Sequence, residues 1–323
     1  MEERNDLVPA LRTVPMKVGV VLPIAQEDGT SAPPSYAEIR AVATAAEDRG
    51  LDSVWVFDHL LFRDDGETTG IHECWTILAG IAEATARVQV GTIVMCTSFR
   101  NAALLAKMAA TLDHMSDGRL ILGIGSGWHD PEFEAFGYPT DHKVGRFEEA
   151  LTIIRTLIRD GRADLDGRWM TARDAVLTPP ARPDLPILIA AKRPRMLELT
   201  ARYADAWNLA WFGAPDERWA GVREQLAAAC AAVGRDPDSL ERTVGITVRY
   251  PDLLPAAASE TAGSEPPPPA LVGDAEIVAG LAAYADEGTG HVIAALEPTT
   301  PEAVARFAAA VSAFRAGSRV GTA

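Results

Sequence analysis

The chain has 323 residues with 48% hydrophobic content, enough apolar material for one large domain or two ordinary ones. Lys plus Arg number 30 against 45 Asp plus Glu, and the net charge of -15 disfavours binding to nucleic-acid backbones or anionic lipid. No apolar run is long enough to span a bilayer, and Cys74, Cys96 and Cys230 show neither metal spacing nor an even disulfide pattern, so a reduced, cytoplasmic, metal-free protein is expected.

The N-terminal stretch MEERNDLVPALRTVP has no apolar core behind a basic start. Residues 1–15 are therefore expected to be a loose arm rather than a secretory signal, with a single domain over 16–323. Met16 to Pro23 forms a predicted first strand. Ser35-Tyr-Ala-Glu38 is a capping box opening a helix with Ile39, Val42, Ala43 and Ala46 on one face. Gly50 closes that helix, and Leu51 to Phe57 is a second strand. A helix over about 73–85 leads to a third strand, Val88 to Met95. Asn101 caps the next helix, where Leu104, Met108, Leu112 and Met115 follow helical spacing. Asp117-Gly118 turns into a fourth strand, Arg119 to Ile124. An irregular piece, a helix from Lys143 to Arg159 and a polar excursion over Asp164 to Pro183 come next.

Pro186 to Ile189 is a fifth strand, and Pro194 stands at a helix start, where its missing N–H costs little. Asp205 to Ala210 is a sixth strand, followed by a helix over Pro215 to Val233 and a seventh strand, Thr243 to Arg249. A helix capped by Asp274, an eighth strand from His291 to Leu296, and a helix opened by Thr300-Pro301 with Val304, Phe307, Val311 and Phe314 inward complete the chain. Eight strands, each followed by a helix, several of them continuous apolar runs, predict a closed (β/α)8 barrel. Its longest insertion, Pro251 to Pro269, is expected to be an inert excursion or a lid on the C-terminal rim.

In such a barrel the residues just past each strand form the active rim. The second strand delivers Asp58 and His59, suited either to acid/base work, with the carboxylate fixing the imidazole tautomer, or to a buried polar pair bonding the loop. The third delivers Cys96, Thr97 and Ser98, read as a wall beside a cofactor. The fourth ends in LILGIGSGW (120–128), which fails the dinucleotide fingerprint because Trp128 stands where a third Gly is required. It is either a tight strand exit or a loop offering backbone N–H groups and the Ser126 hydroxyl to a phosphate, with Trp128 and His129 beside a flat ring. The fifth delivers Lys192 and Arg193 to a helix N-terminus, an anion site or solvated surface charge. Serine-hydrolase, NTPase and zinc-protease motifs are absent.

Three blocks, SVWVFDHL (53–60), NAALLAKMAATLDHMSDGRLILGIGSGWHDPEFEAFGYP (101–139) and PILIAAKRPRMLELTARYADAWN (186–208), resemble the bacterial luciferase-like family of flavin- and deazaflavin-dependent oxidoreductases. They look most like the branch assigned to coenzyme F420. The resemblance implies a homodimeric (β/α)8 barrel whose cofactor ring stacks at the rim. Asp58 and His59 then approach the ring edge, His59 passing a proton and Asp58 orienting it, with His129 or Asp130 as a second acid/base group. Met95, Cys96 and Thr97 match the segment under the ring, where the family has a bulge and sometimes a cis non-proline bond. Ser126, Gly127 and Trp128 match the loop holding the phosphate-bearing tail. Ala190, Ala191, Lys192 and Arg193 match the phosphate loop, although the family commonly has glycines and small residues there. The activity implied is hydride transfer between F420 and a small organic substrate. The alternatives are a reduced-FMN monooxygenase supplied by a separate reductase, or a non-catalytic flavin-binding barrel.

Overall fold

The computed structural model describes residues 15–27, 30–64, 66–254 and 269–320. Eight parallel strands form the barrel: β1 (Lys17–Val21), β2 (Ser53–Val56), β3 (Gln89–Thr92), β4 (Leu120–Gly125), β5 (Ile187–Ala190), β6 (Ala206–Phe212), β7 (Glu241–Arg249) and β8 (His291–Glu297). Each pairs with the next, and β8 pairs with β1 through Lys17↔His291 to Val20↔Ala294, so the sheet closes. The outer ring is α1 (Tyr36–Asp48), α2 (Cys74–Ala84), α3 (Ala102–Met115), α4 (Lys143–Asp160), α5 (Pro194–Tyr203), α6 (Glu217–Ala232), α7 (Asp274–Asp286) and α8 (Pro301–Val320). This is the (β/α)8 architecture expected from the strand–helix alternation.

Apolar side chains fill two layers. One lies between strands and helices and takes Ile39, Val42, Ala43 and Ala46 of α1 with Val304, Phe307, Val311 and Phe314 of α8, the faces their spacing predicted. The other is inside the barrel, where Val21, Trp55, Ile121, Leu188, Ala206 and Ile293 meet. Gly91 makes room for the Trp55 ring, since a Cβ there would lie 2.4 Å from it. Beside Trp55, the floor holds a buried polar trio: Trp55 Nε1 donates to Ser53 Oγ (2.7 Å), which also pairs with His291 Nε2 (2.7 Å).

The structure departs from the expected elements in four places. The irregular piece after β4 contains a short helix, Asp130–Phe136, with Pro131 in its first turn and Gly137 in the left-handed conformation behind it. The rim past β2 carries a hairpin, Leu61–Asp64 with Glu67–Gly70, and the polar excursion before β5 contains another, Arg162–Asp166 with Thr171–Val176. Gly273, not Asp274, is the N-cap of α7; Asp274 is the first helical residue, where its charge still suits the positive end of the helix. The helix expected after the Asn101 cap forms as α3, burying Leu105, Leu112 and the alanines Ala102, Ala106, Ala109 and Ala110, while Leu104 and Met115 are exposed on its outer side. Residues 1–14 of the expected arm and 255–268 of the expected lid lie outside the described residues. Among the described residues, no helix is long and apolar enough to cross a membrane.

Candidate active site at the C-terminal rim

The exits of β2, β3 and β4 pack into one cluster. Glycine makes this possible on β4. A Cβ on Gly123 would lie 1.9 Å from the Thr92 carbonyl oxygen, and one on Gly125 would lie 2.7 Å from Val94. Gly127 has φ +76°, and a Cβ there would meet Cys96 Sγ at 2.7 Å and Phe133 at 2.5 Å. The glycine run thus serves close packing of the β3 exit against the β4 exit. The Ile93–Val94 peptide is cis, just before Met95 and Cys96.

Two buried carboxylates tie these loops together. Asp58, 4% exposed, accepts from the Cys96 backbone N–H (2.9 Å), from the Cys74 thiol (3.3 Å) and from both ends of the Arg100 guanidinium (2.5 and 3.2 Å). Arg100 also pairs with Glu73, the N-cap of α2. Burial alone would lower the Arg100 pKa; Asp58 and Glu73 more than offset this and hold it above its ordinary value. Glu132, 1% exposed and on the short helix, accepts from His59 Nδ1 and from the Leu60 backbone N–H, both at 2.8 Å. The expected Asp58–His59 pairing is therefore corrected. Asp58 is spent on Arg100 and the β3 exit, and Glu132 is the carboxylate that orients His59.

His59 keeps 14% of its side chain exposed, and its Nε2 has no hydrogen-bond partner among the described residues. Its ring sits in an aromatic group with Phe62 (4.4 Å between centroids), Trp128 (5.5 Å) and His129 (6.4 Å). Trp128 is 70% exposed. His129 Nε2 accepts from the Arg63 backbone N–H at 3.1 Å, which leaves that nitrogen unprotonated. Asp130 is exposed and paired with Lys143, so its charge is engaged away from His59.

Met95, Cys96 and Thr97 are buried. Burial pushes the Cys96 thiol up to about 12, with Asp58 and Glu132 adding to the effect against backbone hydrogen bonds, so the sulfur stays protonated. Ser98 Oγ is buried with no partner among the described residues. Ser126 is half-buried and also makes no side-chain hydrogen bond there. At the β5 exit, Ala191 is buried and its carbonyl accepts from Trp207 Nε1 (2.8 Å), while Lys192 and Arg193 are exposed and form no ion pair among the described residues. β5 registers on β4 through Ile189↔Ile124, so these cations stand on the strand next to the Ser126 loop.

Sequence reasoning missed Glu132 and Arg100. The signal for Glu132 was the Asp-Pro-Glu start of a helix, hidden in a segment without apolar periodicity. Arg100 lies next to the predicted cap Asn101, but nothing in sequence connects it with Asp58.

The family model for luciferase-like monooxygenases matches residues 16–313. The pyrimidine monooxygenase RutA of Methylorubrum extorquens is 31% identical over 242 residues, 69% of this chain and 65% of its own. A phthiodiolone/phenolphthiodiolone dimycocerosates ketoreductase of Mycobacterium sp. is 36% identical over 208 residues, 58% of this chain and 54% of its own. The chain thus spans just under two-thirds of the length of the first of these curated relatives and about half of the second. A solved F420-dependent secondary alcohol dehydrogenase, in complex with an F420-acetone adduct, superposes with a TM-score of 0.74 at 20% identity, covering 93% of this chain and 99% of that one, a likeness of fold.

Proposed function

The chain belongs to the luciferase-like monooxygenase family, a family of enzymes, and we propose that within it this protein is an F420-dependent oxidoreductase acting on a small organic substrate. The observation that carries the reading is the His59–Glu132 pair at the barrel mouth. A bound deazaflavin would supply hydride transfer and, with carbon where flavin has nitrogen, does not readily activate oxygen. Reduction of a carbonyl, or its reverse, requires a proton at the substrate oxygen as hydride moves. Glu132 holds the His59 proton at Nδ1 and fixes the ring plane, which leaves Nε2 to take or give that proton. The ketoreductase relative supports this chemistry by its name.

The residues present suit such a cofactor. Lys192 and Arg193, with no ion pair among the described residues, are cations at the N-terminus of α5 that suit a phosphate-bearing tail. The hydroxyl of Ser126, without a hydrogen-bond partner among the described residues, is a further donor on the neighbouring strand exit. Met95, Cys96 and Thr97 form a buried wall with no ionised group of their own. In this proposal Asp58 holds the β2 and β3 exits in place, and His129 and Asp130 are secondary candidates for proton transfer.

The test is a titration of purified protein with F420 and with FMN, followed by turnover of His59→Ala. Tight F420 binding, weak FMN binding and a large loss of turnover are expected; near-normal kcat in His59→Ala would remove it from the chemistry. A second reading, a reduced-FMN monooxygenase with a separate reductase, is favoured by the RutA relative. Oxygen consumption with reduced FMN separates the two. The proposed homodimer has its support in the exposed apolar row of α3, Leu104 and Met115, beside the groove lined by Trp75, Ala79 and Met108.

A further inference from the structure

The far side of the barrel mouth, on β6, β7 and β8, contains polar groups that the cluster around His59 does not use. The register of β7 on β8 aligns Gly245 with Ile293, Thr247 with Ala295, and Arg249 with Glu297. Ile293 and Ala295 belong to the packing inside the barrel. Registered neighbours in a parallel pair share a face, so Thr247, Arg249 and Glu297 also face the interior. Arg249 and Glu297 are the last residues of their strands and therefore stand at the rim.

Three observations suggest that this face accepts a ligand. Thr247 is 5% exposed, yet its hydroxyl has no hydrogen-bond partner among the described residues. Arg249 Nε donates to Glu297 Oε2 at 2.6 Å, which fixes a guanidinium that is 20% exposed at the mouth of an apolar barrel. The Trp211 ring lies against Gly245, where a Cβ would stand 2.7 Å from it, and Trp211 remains 37% exposed. The Thr247 hydroxyl is not among the fully enclosed partnerless atoms, so it keeps access to the mouth and is free to bond a ligand there.

Building on the redox reading above, we infer that Trp211, Thr247 and Arg249 form the substrate subsite for a flat organic molecule with a carbonyl or carboxylate edge. The indole face takes the flat body. The Arg249 guanidinium and Thr247 hydroxyl donate to the edge oxygen. Glu297 is a positioning residue that aims Arg249. Acceptance of a polar edge by fixed donors gives orientation as well as affinity, because an analogue lacking that oxygen leaves the donors unpaired.

Calorimetric titration of the full chain with benzoate, benzamide and toluene tests the inference. The two carbonyl probes are expected to bind, each roughly tenfold or more tighter than toluene. Arg249→Gln is expected to weaken benzoate by about tenfold and Thr247→Val both carbonyl probes by a few-fold, while Arg40→Gln on the exposed side of α1 leaves them unchanged. A benzoate advantage that collapses in Arg249→Gln and in salt identifies a carboxylate edge; an advantage for benzamide identifies a neutral carbonyl. Glu297→Gln is expected to raise the Kd for both probes with no change in F420 or FMN affinity. Should Arg249→Gln fail to fold, Arg249→Lys, which keeps the charge and loses the planar fork, gives the same readout. Failure of both carbonyl probes to bind, or binding indifferent to Arg249, overturns the inference. Loss of F420 or FMN affinity in Arg249→Gln also overturns it, by assigning the group to the cofactor. Carbonyl-probe binding in a protein that binds neither cofactor would instead defeat the redox reading and leave the subsite standing.

Discussion

His291 should make the protein acid-sensitive from the barrel floor, far from any reaction. Its ring is 1% exposed and hydrogen-bonded to Ser53 Oγ, with Trp55 edge-on at 5.4 Å. Burial first, then the charge of Lys17, lowers its pKa from 6.5 to about 3. In the unfolded chain the imidazole takes a proton below its ordinary value, whereas the folded protein refuses it until about pH 3. Stability is therefore fully present above 6.5 and falls as pH drops from there towards 3. Each unit within that window is worth 1.36 kcal/mol, so about 3 kcal/mol is lost by roughly pH 4.5, a large share of a typical 5–15 kcal/mol. Urea unfolding of wild type and His291→Gln at pH 7 and about pH 4.5 isolates this contribution, because Gln can bond Ser53 and does not titrate. Wild type should lose about 3 kcal/mol more than the variant between the two conditions. Equal losses would mean that the floor takes up the proton, or opens, at little cost, and the burial argument would be wrong.

Glu132→Gln should keep cofactor affinity and cut turnover by about 10²-fold, since the ring stays in place but its tautomer is no longer fixed; stopped-flow or steady-state rates beside a cofactor titration measure the split. Arg100→Met should destabilise the fold by about 3–5 kcal/mol, because it strands the buried Asp58 charge, and a urea midpoint reads it. Gly123→Ala should cost about 3 kcal/mol or more, or abolish soluble expression, given a Cβ that would meet the Thr92 carbonyl oxygen. Lys192→Gln with Arg193→Gln should weaken cofactor binding by roughly tenfold and flatten its salt dependence, checked by fluorescence titration at two ionic strengths. Leu104→Glu with Met115→Glu should shift sedimentation from dimer to monomer with little change in Tm, because both side chains are exposed in the single chain.

The barrel was legible because its signals are local. A capping box, a Pro at a helix start and continuous apolar strands fix each unit, and the repetition of units fixes closure. The reading failed where spacing was correct but the governing contact was not local. Leu104, Met108, Leu112 and Met115 share a helical stripe, yet Leu104 and Met115 are exposed, and the buried face is formed by Leu105 and Leu112 with the alanines. The LILGIGSGW glycines raised a phosphate reading, while their demonstrable role is to admit Thr92 and Val94. Glu132 escaped because His59 and Glu132 are 73 positions apart, and no periodicity relates a strand exit to a seven-residue helix on another loop.

The pair Asp58-His59 shows why a buried strand ends on titratable residues. Adjacent positions past a strand point to opposite sides, so the two side chains meet different loops. Asp58 turns towards α2 and the β3 exit and is neutralised by Arg100. His59 turns towards the mouth and is held by Glu132 from the β4 exit. Each carboxylate fastens a different loop to the end of β2, so three rim segments become one rigid unit. An imidazole held this way has its orientation set by buried groups on other loops rather than by its own sequence neighbour. Moving the orienting role from Asp58 to Glu132 therefore makes a sharp distinction: Asp58→Asn should register first in stability, and Glu132→Gln first in turnover.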